Sequence, residues 1–193
     1  FIENPEDVPE KWKNRGMPTE KALIASAGKK GIFQNQFLKS EEEIDEISFS
    51  SEYKYSASLR KVASGDYILY VKGAPEILFA KSKYIEGKNG PKELTQEKIE
   101  ELKKKQEELT SKGYRLLAVA YKKTNNLQPT TYNLKELVND LIFVGMFVLE
   151  DPIRKDAKEA IQACYQAGMR PIIVTGDHKL TAKAIAEKIG IKV

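Results

Sequence analysis

Tyr67-Ile68-Leu69-Tyr70-Val71-Lys72-Gly73-Ala74-Pro75-Glu76 is the stretch on which the reading of this chain turns. Tyr67–Val71 is strand-like, and an apolar helix-like run begins at Ile77, so a lysine stands where a strand hands over to a helix. Gly73 permits close backbone approach or a positive φ. Pro75 is pre-set for a first helical turn, where its missing N–H costs little. The positive end of that helix and the Lys72 ammonium together favour an anion. Taken alone, the same five residues from Lys72 to Glu76 also fit an ordinary corner with a solvated lysine, and local physics favours that reading.

Working outward, Ser56–Ala63 reads as a strand that joins Tyr67–Lys72 through Ser64-Gly65-Asp66, the turn chemistry of a β-hairpin. Acidic Glu41–Glu46 precedes a short strand at Ile47–Ser50. A helix is predicted from Pro18 to about Ala27, with Gly28 and Gly31 beyond it. Residues 1–16 are polar and carry little regular structure except near Trp12. After the corner come a helix at Pro75–Lys81 and a loop at Gly87–Pro91. A long helix follows from Thr95 to Lys112, with Ile99, Leu102 and Leu109 on its apolar face and Gly113 at its exit. Strands are expected at Tyr114–Tyr121 and Leu141–Leu149, with a polar loop through Asn125, Asn126 and Pro129 between them.

The last forty or so residues change character. Ala157, Ala160, Ile161 and Cys164 follow helical spacing to Gly168, Met169–Thr175 reads as a buried strand, and Gly176-Asp177 reads as a turn. Ala182, Ile185, Ala186 and Ile189 mark another helix. Strand–turn–helix alternation is the pattern of a parallel α/β unit. The expected fold is therefore α/β (α+β): an antiparallel sheet flanked by helices over 1–149, then a partial parallel βαβα unit over 150–193. The boundary falls at Glu150-Asp151-Pro152.

The 193 residues are 41% hydrophobic and 31% charged, with a net charge of +4, ordinary for a soluble globular protein. Lysines alternate with glutamates in Glu97–Glu108, a solvated helix face rather than a nucleic-acid patch. One cysteine, Cys164, excludes an internal disulfide and a cysteine-based zinc site; its place on an apolar stripe predicts a buried, inert thiol. One histidine, His178, makes no metal cluster. The longest nearly pure apolar run, Leu141–Leu149, is far short of a membrane span. A start at Phe1 and an end at Ile191-Lys192-Val193 suggest a piece of a longer polypeptide. Thr175-Gly176-Asp177 at the end of a parallel-type strand suits a phosphoryl group, or equally a helix cap. No P-loop, dinucleotide fingerprint, nucleophile elbow or zinc-protease motif is present.

Together, six motifs in order go further. Lys72-Gly73-Ala74-Pro75-Glu76 resembles the lysine motif of the nucleotide-binding domain of P-type cation-transporting ATPases. Pro18-Thr19-Glu20 with Ala22-Leu23, Phe49-Ser50-Ser51-Glu52-Tyr53-Lys54 and Gly113-Tyr114-Arg115-Leu116-Leu117-Ala118 resemble three more of that family's motifs. Asp151-Pro152-Ile153-Arg154 resembles its hinge, and Thr175-Gly176-Asp177-His178 its phosphorylation-domain motif. The resemblance spans residues 18 to 178 and is nearest the calcium-pump-like branch.

The resemblance implies a nucleotide-binding domain followed by the start of a haloacid-dehalogenase-like phosphorylation domain, in the cytoplasmic part of an integral membrane pump. It implies that Phe49 stacks on adenine, that Glu20 accepts from the adenine amino group, and that Lys72, beside Gly73, lines the base pocket. Lys54 would point to the ribose or phosphates and Arg115 would hold the phosphates. Thr175, Gly176 and Asp177 would help bind the phosphoryl group and Mg²⁺, and Asp151, Pro152 and Arg154 would form the hinge. The implied ligands are ATP and Mg²⁺. The implied partners are the remaining phosphorylation, actuator and membrane domains, with no nucleic acid. Without the family, Phe49 would read as a core residue, Lys54 and Arg115 as solvated strand charges and Glu20 as a first-turn carboxylate. The family's Asp-Lys-Thr-Gly-Thr, which carries the phosphorylated aspartate, and its Thr-Gly-Asp-Gly-x-Asn-Asp are absent, so the resemblance assigns no catalytic residue here. Met17 and Ser51 also depart from common family residues. Two other classes stay open: a haloacid-dehalogenase-type phosphatase, and an interaction lobe without nucleotide binding.

Overall fold

The computed structural model describes residues 17–38, 40–125, 127, 132–150, 153–176 and 179–191. The expected hairpin is present as β2 (Tyr55–Val62) and β3 (Tyr67–Gly73), paired antiparallel with Ser56 opposite Lys72 and Ser58 opposite Tyr70. Its turn is closed by Val62 N–H donating to the Asp66 carbonyl at 2.9 Å. Around the hairpin the sheet has seven strands. The others are β1 (Glu41–Ile47), β4 (Ser82–Ile85), β5 (Lys92–Glu93), β6 (Arg115–Thr124) and β7 (Leu141–Leu149), in the order β1-β2-β3-β6-β7-β4-β5.

The sheet is not purely antiparallel, as expected from the sequence, because β4 runs parallel to β7. The reason is local. After the corner, α3 (Pro75–Lys81) crosses the core face and returns the chain to the far side of β7. A strand entered from a crossover helix lies parallel to its neighbour.

Alternation divides the two sheet faces. Tyr55, Ala57 and Leu59 of β2 and Leu69 and Val71 of β3 are buried with Ala118, Ala120, Leu141 and Phe143. Leu78 and Phe79 of α3 fill this face, and the Phe79 and Phe143 rings meet at 5.2 Å with their planes tilted by 59°. The long helix α4 (Gln96–Ser111) adds Ile99 and Leu102 to the core and is capped by the Thr95 side chain, which accepts from Lys98 N–H. Gly113, at φ +90°, ends its exit turn in the left-handed region that glycine tolerates. Ser56, Ser58, Tyr70 and Lys72 stand on the opposite, open face, which α1 (Pro18–Gly28) and α2 (Gln34–Leu38) border.

The acidic segment read as a prelude to a strand is itself β1, and the strand ends at Ile47 rather than Ser50. Carboxylates disfavour strands, but here they lie on a sheet edge, where charge discourages further pairing. They also find partners: Arg60 and the Ser58 hydroxyl donate to Glu43, and Tyr70 donates to Glu41. A bulge between Glu43 and Asp45 lets Ile44 as well as Ile47 pack on the core.

Toward the C-terminus, α6 (Ala157–Gln166) and α7 (Lys179–Ile189) form as expected, with α5 (Leu134–Leu137) short and earlier in the chain. The strand expected at Met169–Thr175 does not form. Ile172 is 77% and Val174 95% exposed, because no described strand lies beside this segment to supply a ladder or an apolar face. Of the expected parallel unit, only its two helices are formed among the described residues. The expected apolar positions of α7, Ala182, Ile185, Ala186 and Ile189, are all buried or half-buried, and Thr181 and Ala184 are buried beside them. Thr181, Ala184 and Ala186 are its buried residues, and a Cβ placed on Gly113 would lie 3.4 Å from the Ala184 Cβ. Small residues let α7 approach the end of α4 closely. Cys164 is half-buried rather than buried. Trp12, Asn126 and Pro129 lie outside the described residues.

Gly73 is fixed by steric approach. A Cβ there would stand 2.6 Å from the Lys54 carbonyl oxygen and 2.6 Å from the Tyr55 Cβ. Backbone cannot yield cheaply, and overpacking of this kind costs about 1–3 kcal/mol. Gly73→Ala should therefore lower the stability of the chain by about that amount, read as a lower urea midpoint. An unchanged midpoint would show that the corner opens freely.

Candidate functional site

Two clefts meet at Phe49. The first, about 440 Å³, lies on the open sheet face between α1 and the strands. Glu20 and Leu23 form its α1 side; Ser56, Ser58, Tyr70, Lys72 and Val119 form its floor. The second, about 700 Å³, lies around the β3–α3 corner. Lys54, Gly73, Ala74, Pro75 and Arg115 line one part of it, and Thr110, Gly176 and Thr181 another. Both volumes fall in the range of small-molecule sites, about 300–1,000 Å³.

Phe49 is neither on a strand nor in the core. It follows β1 in the loop and is 67% exposed. One exposed hydrophobic residue is common; what distinguishes this one is its place on the ridge shared by two clefts. The loop is held from below. Lys54 N–H donates to the Ser50 carbonyl at 2.8 Å, Tyr53 N–H to the Ser50 hydroxyl, and Ala74 N–H to the Lys54 carbonyl at 2.9 Å. Lys54 itself sits at φ +56°, the left-handed region that costs a side-chain-bearing residue about 1–2 kcal/mol. The close pass under Gly73 holds it there.

The Lys72 ammonium donates to Glu20 Oε1 at 3.2 Å, tying the first turn of α1 to the sheet. That hydrogen bond, then the charge of Lys72, holds Glu20 below the usual carboxylate range, against a smaller upward push from burial. Both side chains are about half exposed, so the pair contributes no more than about 1 kcal/mol and can be exchanged for other partners. On the floor, burial and then the neighbouring Glu41 push the Tyr70 hydroxyl up to about 12. Tyr70 thus stays protonated and keeps donating to Glu41.

The sequence grouped Lys72 and the start of α3 as one anion site. The structure separates them: Lys72 lines the first cleft, and Ala74, Pro75 and Glu76 line the second. Alternation is the cause, since Lys72 points to the open face while the next residues turn to start α3. The cations of the second cleft are Lys54 and Arg115. Glu76 lies 4.0 Å from the Lys54 ammonium and accepts from the Gln106 amide.

The two clefts therefore bring together Glu20, Phe49, Lys54, Lys72, Gly73 and Arg115. Of the phosphoryl-motif residues, Gly176 lines the second cleft and Thr175 is exposed. Asp177, and Asp151 and Pro152 of the hinge motif, lie outside the described residues; Arg154 pairs with Asp156 at 3.4 Å. Sequence reasoning missed Ser56, Ser58 and Tyr70 on the floor. The signal was present: two-residue periodicity from Lys72 reaches Tyr70, and the hairpin register reaches Ser56 and Ser58. Thr110 and Thr181 had no such signal. Among the described residues, no three His, Cys, Asp or Glu side chains are grouped to hold a metal. The described residues alone do not make a Mg²⁺ site.

Over residues 1–156 the sequence matches the family described as P-type ATPase, cytoplasmic domain N. The chain belongs to that family. It is 33% identical over 189 residues to a calcium-transporting ATPase of Listeria monocytogenes, covering 97% of this chain and 21% of that protein. It is 35% identical over 182 residues to a calcium-transporting ATPase of Lactococcus lactis, covering 91% of this chain and 20% of the relative. It is likewise 35% identical over 181 residues to a cation-transporting ATPase of Synechocystis, covering 93% and 19%. The chain thus spans about one-fifth of the length of these relatives. The clefts and the seven-stranded sheet lie mostly within the part matched to domain N, which the family description places in the cytoplasm. Among the described residues, no helix is long and apolar enough to cross a membrane.

The Glu20–Lys72 pair makes a titration prediction. Because Glu20 is depressed in the folded chain, the stabilisation is present above its unfolded pKa and is lost as pH falls through the folded value. Lys72→Met should raise the Glu20 pKa toward the ordinary carboxylate range, followed by its side-chain carboxyl ¹³C shift. A Glu20 titration that Lys72→Met leaves unmoved would show that the ion pair does not persist in solution.

Proposed function

We propose that this chain is the ATP-binding cytoplasmic portion of a P-type cation-transporting ATPase, which delivers ATP to an aspartate of the parent pump. The observation that carries the reading is the meeting of two chemically different clefts at one exposed aromatic ring. The first cleft pairs Lys72 with Glu20, carries Glu46 as a further carboxylate on its lining, and offers hydroxyls on its floor. It suits an uncharged, hydrogen-bonding base stacked on Phe49, with Glu20 accepting from the exocyclic amine. The second cleft carries Lys54 and Arg115 and suits phosphates. Arginine's planar fork matches phosphate oxygens, and Lys54 adds a point charge. Gly73, without a side chain, lets the backbone pass close beneath the join.

In this reading residues 150–193 begin the haloacid-dehalogenase-like phosphorylation domain. Gly176 at the second cleft supports this, as do the exposed Ile172 and Val174, whose alternation suits a strand with further neighbours. Thr175, Gly176 and Asp177 would then face the transferred phosphoryl group, and motion about Asp151, Pro152 and Arg154 would close the two parts. Mg²⁺ would arrive with the nucleotide and neutralise phosphate charge, held by parts of the parent as well as by Asp177. Transfer itself is chiefly positioning and electrostatic stabilisation. Because the sequence has no Asp-Lys-Thr-Gly-Thr, the chain by itself would bind ATP without turning it over by the covalent route.

Amide-shift titration of the chain with ATP should give saturable binding by millimolar nucleotide, centred on Glu20, Phe49, Lys54, Lys72 and Arg115. Phe49→Ala should weaken that binding by the worth of a base–aromatic stack, about 1–3 kcal/mol or roughly 5- to 150-fold, while the fold persists. No saturable binding at millimolar ATP would overturn the reading.

A further inference from the structure

Of the six nucleotide-motif residues, Phe49, Lys54, Gly73 and Arg115 line the second cleft, and part of its lining has no role in the reading above. That part comes from α4 and from α7, whose contribution is Thr181, a polar residue in its first turn only 2% exposed. Among the described residues no hydrogen bond engages the Thr181 hydroxyl, and it is not among the side-chain atoms sealed from solvent without a partner. A nearly buried threonine that lines a cleft, unpartnered yet not sealed, presents its hydroxyl to the cleft. Valine has the same shape and would seal the α4–α7 seam without a hydroxyl to desolvate. The first turn of α7 carries the positive end of the helix dipole. Lys54 and Arg115 line the same cleft.

We infer that Thr181 is a phosphate-binding residue: its hydroxyl donates to an oxygen of the nucleotide's phosphate chain in the cleft that Arg115 also lines. The inference rests on the nucleotide reading above and extends it to a helix outside the part matched to domain N. It gives α7, already packed on the end of α4, a contact with the phosphates.

Amide-shift titrations of the 193-residue chain with ATP and with adenosine test it. In the unaltered chain, ATP should move the amides of Thr181 and Ala182, whereas adenosine should move those of Phe49 and Lys72 but not these two. Thr181→Val should weaken ATP about tenfold, the scale of one charge-assisted hydrogen bond, and leave adenosine binding unchanged; Thr181→Ser should restore ATP affinity. The inference is overturned if ATP moves Phe49 and Lys72 but not Thr181 and Ala182, a result that needs no variant to fold. Equal ATP affinity for Thr181→Val and the parent chain overturns it as well. If neither ligand moves Phe49 and Lys72, the nucleotide reading fails first and this inference with it.

Discussion

The backbone pass between Gly73 and Lys54–Tyr55 is the constraint on which the site is built. No side chain fits at Gly73, whose Cβ would lie 2.6 Å from a carbonyl oxygen. That contact sets the end of β3 against the start of β2, so Lys72 is delivered to the open face and Pro75 to the core side. It also receives the Ala74 N–H on the Lys54 carbonyl, which holds Lys54 at its left-handed φ. With Lys54 held and Ser50 bonded beneath it, the loop lifts Phe49 clear of the core. One steric fact thereby places a lysine, a strained lysine and an exposed aromatic ring around a single junction.

From that junction the electrostatics divide. On one side the Glu20–Lys72 ion pair and Glu46 border a floor of hydroxyls; on the other Lys54 and Arg115 outnumber Glu76 beside the starts of α3 and α7. The Glu20–Lys72 pair is too exposed to account for much stability, which makes it a poor structural brace and a ready exchange partner. The same half-exposed geometry serves binding better than folding. The core, meanwhile, is made on the far face by α3, α4 and the strands, so the open face is left to chemistry.

Much of this was legible from residues alone because it rests on local signals. The hairpin around Ser64-Gly65-Asp66, the Pro75 helix start, the Thr95–Gly113 helix and the strand at Leu141–Leu149 all carry periodicity or turn chemistry that tertiary context left in place. Glu41–Ile47 was not legible as a strand, because its carboxylates contradict strand propensity and only Arg60, Ser58 and Tyr70 across the sheet make it one. The short β4 and β5 depend on β7 for their existence. Met169–Thr175 failed the other way: a sound apolar pattern forms no strand without a neighbour. For the site, motif order named Glu20, Phe49, Lys54, Lys72, Gly73 and Arg115 from four separated segments. Their division into two clefts required the register of the sheet, and Thr181 required the packing of α7 on α4.

The central claim is that one ligand bridges the two clefts across Phe49. A crystal structure of the chain with a non-hydrolysable ATP analogue tests it most directly. The account predicts a base stacked on Phe49 between Glu20 and Lys72, with the phosphates passing Gly73 toward Lys54 and Arg115. An analogue bound with its base in the Arg115 cleft, or away from Phe49 altogether, would contradict it.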